Sequence, residues 1–212
     1  MQIILITPEN RNHFAREMDQ VFKLRHDVFN KWLKWGLPSE NGRESDKYDD
    51  QALHLIALEN ASDVLGTWRM MPTTQPYMTA EVFPELLEEI GLVSSNSIWD
   101  LSRFAINRDV VGSNKGRQAR LFASMASAVY EFGIMNGVAE YLSVQNAYIT
   151  PIANSMLGEP VWASASLDYG ATDATCYSYA PTMERLYSLR TQFSLNAPVL
   201  SQFDITNFAK AA

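Results

Sequence analysis

The sequence holds one cysteine, Cys176, in 212 residues. No disulfide can form within the chain, and a reducing compartment is expected. Long apolar runs are missing too. The first run, IILI at 3–6, is bounded by polar residues and Pro8 and is too short for a signal-peptide core. No stretch approaches the roughly 20 residues of a membrane helix. The expectation is a soluble, cytoplasmic protein without stable membrane insertion. Positive charge is scarce: 17 Lys and Arg face 24 Asp and Glu, for a net charge of −7. With no basic block, sequence-independent nucleic-acid binding is not expected. The three histidines, His13, His26 and His54, are far apart and lack metal-ligand spacing, so no metal site is expected. Walker loops, GxGxxG and GxSxG are absent as well.

What is present suits one domain with a sizeable core, at 47% hydrophobic and 19% charged residues. A strand is expected at 3–6. Helical spacing follows over 10–34, with Phe14, Met18, Val21, Leu24 and Val28 on one face. The acid-rich stretch 36–50 reads as a loop. Strands are expected at 52–59, 64–72, 98–107, 138–146, 160–166 and 173–181. Helices are expected at 78–91 (interrupted near Pro84), 117–136, 149–158 and 182–193. This order predicts an α/β fold: a single three-layer α-β-α sandwich around a mixed sheet. The domain is expected to span 1–195, with an N-terminal lid at about 10–50 and a loosely attached tail at 196–212.

The stretch WDLSRFAIN at 99–107 is the anomaly. Alternation puts Asp100 and Arg103 on opposite faces of an expected core strand, and leaves neither face apolar. Other such residues precede it. Arg25 and Phe29 lie one helical turn apart, followed by Trp32 and Trp35, the acids Asp46 and Asp49, and Arg69 inside the strand GTWRMM. Taken singly, each has an ordinary reading as exposed charge, half-buried packing or solvated loop. Together they do not, because charges inside core strands require partners. Asp46, Asp49 and Asp100 are expected to answer Arg25, Arg69 and Arg103. Such a cluster, lined with aromatics, suits a small zwitterionic or cationic ligand.

The spacing Arg25-x3-Phe29-x5-Trp35-x10-Asp46-x2-Asp49, then Arg69, then Asp100-x2-Arg103-Phe104 resembles the acyl-homoserine-lactone synthases, the LuxI-type autoinducer synthases. RMMPTTQPYM and VFPEL resemble them too. The likeness is strongest over 1–110; beyond about 146 only the order of elements matches. It implies a splayed sheet similar to GCN5-related N-acetyltransferases. It also implies synthesis of a lactone signal from S-adenosylmethionine, as a substrate and not a cofactor, and an acyl thioester carried by CoA or by an acyl carrier protein. By this resemblance Asp100 and Arg103 would be catalytic, with Asp100 deprotonating the substrate amine directly or through one water. Phe29, Trp35, Asp46, Arg103 and Phe104 would shape the S-adenosylmethionine site, while Arg25, Asp49 and Arg69 would tie the lid to the sheet. Ser143 would meet the acyl C3 substituent. The family usually carries Glu where this chain has Asp100, which shortens the proposed base by one methylene.

For Asp100 and Arg103 to serve one site, a bulge is expected within 100–104, splaying the fourth strand from the fifth. For docking an acidic carrier the chain offers Lys115, Arg117 and Arg120 near the pantetheine side, while 149–158 has no basic residue, so the balance favours acyl-CoA. Two other readings stay open here. One is an acetyl-CoA-dependent N-acetyltransferase using GSNKGR at 112–117 as a phosphate loop. The other is a non-catalytic homologue that binds S-adenosylmethionine or an acyl carrier.

Overall fold

A computed structural model describes residues 1–60, 63–170, 172–195 and 198–200. The first strand, β1 (Gln2–Ile6), is buried from Ile3 onward. Its run of adjacent apolar residues follows from having both faces covered. A 3-10 turn (Arg11–Phe14) leads into α1 (Ala15–Arg25), and a π-helical stretch (His26–Trp32) continues it. The helix expected over 10–34 is therefore three segments. The wider turn lets both Val28 and Phe29 be buried although they are adjacent. The loop expected at 36–50 contains a hairpin, β2 (Ser39–Glu40) and β3 (Arg43–Glu44). Its turn residues Asn41 and Gly42 both have positive φ, the conformation a tight two-residue hairpin needs.

Then come β4 (Leu53–Glu59), β5 (Asp63–Pro72), α2 (Met78–Val82), a 3-10 turn (Pro84–Leu87), β6 (Ile98–Ile106), α3 (Arg108–Val111) and α4 (Lys115–Met135). The chain goes on through β7 (Glu140–Gln145), α5 (Thr150–Leu157), β8 (Trp162–Ala163), β9 (Leu167–Asp168), β10 (Asp173–Tyr179) and α6 (Met183–Gln192). Eight strands form one sheet in the order β1-β4-β5-β6-β7-β10-β8, with β9 beside β10. Only β6 and β7 among these pairs run parallel, so the sheet is mixed. On one face α1 packs Met18, Val21 and Leu24 over Ile4, Ile6, Ile56 and Val64. On the other, α4 sets Leu121, Met125, Val129 and Phe132 against Leu55, Leu65, Met70 and Leu101. Three layers result, as the order of elements predicts.

Two departures from regularity shape the site. Strands β6 and β7 pair only over 98–101 and 140–143, although β6 continues to Ile106 along β5. From Ser102 onward the two parallel strands part. On the β5 side the register slips between Thr67 and Arg69, so Arg103 and Phe104 together face Trp68. That is the expected bulge, and Arg103 takes it up with φ of 56°. Asp100, Ser102 and Arg103 all turn toward the α1 and α2 side, whereas Phe104 turns to Trp68 and Phe122 on the α4 side.

Of the expected tail, 198–200 are described and the other residues, 196–197 and 201–212, lie outside the described residues. Buried Glu131 of α4 accepts hydrogen bonds from Arg190 and from the backbone N–H of Val199 and Leu200. Leu200 bridges to Ile3 in β1.

Gly133 sets how closely α4 lies on the sheet. A Cβ there would fall 2.7 Å from the Tyr141 hydroxyl and 2.9 Å from Pro181 Cγ, and that hydroxyl donates to the Val129 carbonyl at 2.8 Å. In a free helix Gly→Ala gains about 1 kcal/mol, but overpacking costs about 1–3 kcal/mol. Gly133→Ala should therefore lower the thermal midpoint; a raised midpoint would show that α4 has room to move.

Candidate active site

The Asn41-Gly42 hairpin turns the chain so that Glu44 points under α1. There Arg25, buried completely, donates from Nε to Glu44 and from Nη1 to Asp49, both at 2.6 Å. Arg69 of β5 donates from Nη1 to Asp46 and, at 3.0 Å, to Asp49, and from Nε to the Ser102 hydroxyl at 3.0 Å. Arg103 of the bulge reaches Glu44 at 3.2 Å and Asp46 at 3.0 Å. Three guanidiniums thus meet three carboxylates. The third acid is Glu44, not Asp100 as the sequence suggested. Asp100 faces α2, where its Oδ1 accepts from the hydroxyl and the backbone N–H of Thr79.

Sulfur and rings complete the cluster. Met78 Sδ lies 3.7 Å from Arg69 Nη2 and 3.0 Å from Arg103 Nη1. Arg103 sits over the Phe29 ring at 5.6 Å, and Phe29 stacks on Trp35 at 5.2 Å and 3°. Asn30 fixes the turn between them through two hydrogen bonds to the Leu37 backbone.

Asp100 is 1% exposed, and its Oδ2 is buried without a hydrogen-bond partner among the described residues. Burial pushes its carboxyl up, opposed by Thr79 and by the charge of Arg69. Asp49 goes the other way: burial alone would raise it, but the charges of Arg25 and Arg69 hold it well below the usual carboxylate range. His54, also buried, donates from Nε2 to the Asp49 carbonyl at 3.2 Å. Burial holds it down to about 4, with the Asp49 charge opposing.

A cavity of about 600 Å³ opens between the N-terminal segment and the sheet. Phe29, Trp35, Asp46, Arg103 and Phe104 line it, whereas Arg25, Asp49, Arg69 and Asp100 stand behind its wall. A smaller cavity of about 70 Å³ continues between β6 and β7, and Ser143 lines that one. Across the mouth of the large cavity, Arg108 lies 3.3 Å from the Trp32 ring centre and donates to the Tyr148 hydroxyl at 2.8 Å.

Residues 9–172 match the family described as autoinducer synthase. The chain belongs to that family. An isovaleryl-homoserine lactone synthase from Bradyrhizobium diazoefficiens is 33% identical over 174 residues, 76% of this chain and 76% of that protein. A CoA-dependent acyl-homoserine lactone synthase, BjaI, solved with SAM and isopentyl-CoA, superposes with a TM-score of 0.84 at 27% identity, covering 100% of this chain and 99% of the other. An N-acetyltransferase-like structure from Lactobacillus plantarum, at 13% identity and TM-score 0.55, covers 86% of this chain and shares the fold alone.

In this autoinducer synthase, sequence reasoning missed Glu44, Met78 and Thr79. Glu44 had a signal: in an extended ESD segment, Glu44 and Asp46 fall on one side. Met78 had only its place at the end of RMMPTTQPYM, and Thr79 had none, since its importance comes from where α2 docks. Among the described residues no cluster of His, Cys, Asp or Glu could hold a metal ion.

The buried His54 generates a pH dependence. Its unfolded value is 6.5 and its folded value about 4, so between these the unfolded chain binds a proton that the folded chain does not. Stability is therefore complete above pH 6.5 and falls as pH drops toward 4, by about 1.4 kcal/mol per unit. Urea unfolding should show this loss between pH 7.5 and pH 5, and His54→Gln should reduce it. An equal loss in the variant would exclude His54 as the source.

Proposed function

We propose that the protein makes an N-acyl-L-homoserine lactone from S-adenosylmethionine and an acyl thioester, releasing 5′-methylthioadenosine. One observation carries the reading: the family match at 9–172 runs through every residue of the arginine–carboxylate cluster and both cavities' shared wall. The reaction joins two bonds in sequence. The substrate amine attacks the thioester carbonyl and the thiol leaves. The methionine carboxylate then displaces methylthioadenosine at the γ-carbon and closes the lactone. The sulfonium and the thioester supply both leaving groups, so no bound cofactor is required.

The amine must lose a proton before it attacks, because an ammonium has no lone pair. Asp100 is the base in this proposal. Burial raises its carboxyl toward a more basic value, and Oδ2 makes no hydrogen bond among the described residues. Because Asp100 stands behind Ser102 and Arg103, one bridging water carries the proton to it. The cavity of about 600 Å³ is of the size ligand sites commonly have. Its aromatic wall at Phe29 and Trp35 suits a sulfonium or adenine, and Asp46, at the cavity surface, suits the amine end. Arg103 holds this wall in register and offers positive charge where the carboxylate and the oxyanion need it. Ser143, in the smaller cavity, faces the acyl group near C3.

The donor in this reading is acyl-CoA. Arg117 is held by Glu59 at 2.6 Å, and Arg120 donates to the Phe193 carbonyl at 3.2 Å. That leaves Lys115 to meet an acidic carrier, while α5 carries no basic residue. BjaI, with which the chain superposes, is itself CoA-dependent. No helix of the described residues is long and apolar enough to cross a membrane, and we place the enzyme in the cytoplasm.

The test follows methylthioadenosine and free thiol together. Release of both marks the synthase; free CoA without methylthioadenosine marks an N-acetyltransferase; binding without turnover marks a sensor. Asp100→Asn should lower turnover by about 10²–10⁴-fold with S-adenosylmethionine binding little changed. Higher pH should partly restore it, because more of the amine is then already neutral, and Asp100→Glu should stay active. A folded Asn variant turning over at the wild-type rate would remove Asp100 from the mechanism.

A further inference from the structure

Arg69 and Arg103 each keep one nitrogen that hydrogen-bonds to no oxygen among the described residues. Arg69 gives Nε to the Ser102 hydroxyl and Nη1 to Asp46 and Asp49. Arg103 gives Nε to Glu44 and brings Nη2 within 3.0 Å of Asp46. The nitrogens left over, Arg69 Nη2 and Arg103 Nη1, converge on one atom, Met78 Sδ, at 3.7 and 3.0 Å. A thioether is a weak acceptor, so both donors are held in place without being strongly engaged. One of them is open to a ligand. The Arg103 side chain is 14% exposed and lines the large cavity together with Met78, whereas those of Arg25 and Arg69 are each 1% exposed.

Charge points the same way. Burial opposes the charge of Arg25, and Asp49 and Glu44 more than offset it. At Arg103 burial outweighs Glu44, with Arg69 and Arg25 adding repulsion, and the guanidinium is held below its usual value. Arg103 is therefore the less compensated cation. Met78 can also yield its place. The backbone around it is fixed, because the Tyr77 hydroxyl donates to the Val93 carbonyl at 2.9 Å and Thr79 holds Asp100. The methionine side chain itself has three rotatable bonds and a soft sulfur, so it can slide off a guanidinium without moving α2. We infer that Met78 is a specificity-determining residue: its sulfur keeps the Arg103 Nη1 donor in reserve for a substrate carboxylate, which takes that donor on binding. The inference rests on the synthase reading, in which the carboxylate is that of S-adenosylmethionine. Held by this one donor group, the carboxylate keeps its other oxygen for displacing methylthioadenosine.

The test compares S-adenosylmethionine with its decarboxylated counterpart, which keeps the adenine, sulfonium and amine but has no carboxylate. Affinities are measured by calorimetry on the full chain, with Met78 replaced in two ways. Gln has the unbranched shape of Met and a strong carbonyl acceptor; Leu has a branch and no acceptor. A carboxylate must displace the Gln carbonyl from Arg103, and in the Leu variant it has nothing to displace. Met78→Leu should therefore bind S-adenosylmethionine at least about tenfold more tightly than Met78→Gln, the scale of one hydrogen bond to a charged group. For the decarboxylated compound the two variants should agree within about twofold. Packing alone gives the reverse order for both compounds, since Gln keeps the shape and Leu does not. That reverse order, or equal affinity of the two variants for S-adenosylmethionine, overturns the inference, as does wild-type protein that binds both compounds equally. Should Met78→Gln not fold, Met78→Leu decides alone: tighter binding of S-adenosylmethionine than wild type supports the inference, and weaker binding overturns it. Methylthioadenosine release by the wild type with acyl-CoA, assayed separately, reports on the synthase reading. If it is absent while the order of the variants holds, that reading fails and the assignment of Met78 stands.

Discussion

The structure depends on one buried electrostatic arrangement. Arg25 from α1, Arg69 from β5 and Arg103 from the β6 bulge share Glu44, Asp46 and Asp49 from the segment between the hairpin and β4. None of these three arginines has a private partner; Glu44 and Asp49 are each shared by two guanidiniums and Asp46 by all three. Removing charges from water is costly, and only near-complete pairing returns that cost. The network consequently behaves as a unit. It places the N-terminal segment over the sheet and, with it, Phe29 and Trp35 over the cavity.

The bulge is the second half of the same design. A regular β6 would send Arg103 to the α4 side, toward Leu121 and Met125 and away from Glu44 and Asp46. Inserting one residue against Trp68 turns Arg103 back to Glu44 and Asp46. The same insertion directs Phe104 the other way, onto Phe122, and accompanies the separation of β6 from β7. A positive φ at a non-glycine residue costs about 1–2 kcal/mol, and two ion pairs hold Arg103 there. Charge pairing on one face and a cleft between β6 and β7 thus arise from one irregularity.

Much of this was legible in the sequence. Asp100 and Arg103 on opposite alternation faces of a core strand already required a bulge, and one lies at 103–104. The interleaved strands and helices specified a three-layer fold because their periods differ so plainly. Other features were not legible. The 3.6-residue spacing over 10–34 is equally compatible with a straight helix or one carrying a wide turn, since both bury Met18, Val21 and Leu24. The Asn41-Gly42 pair signals a hairpin, but strands of two residues are too short to show alternation. Which acid meets which arginine is a tertiary matter: Glu44 and Asp100 are both near Arg103 in possibility, and only chain geometry decides between them. Cavity volume is further still from sequence, being set by how Trp68, Phe104 and Phe122 pack together.

The central claim is that this shared network, and not the apolar contacts of α1 alone, fastens the N-terminal segment over the site. Hydrogen exchange in Glu44→Gln tests it most directly, because that change takes one charge from between Arg25 and Arg103 with almost no change in shape. Breaking a buried pair in this way costs about 3–5 kcal/mol, so amides within 26–50 should exchange at least about a hundredfold faster. Amides of β4 and β5 at the centre of the sheet should lose far less protection. Unchanged exchange across 26–50 in a folded variant would contradict the account.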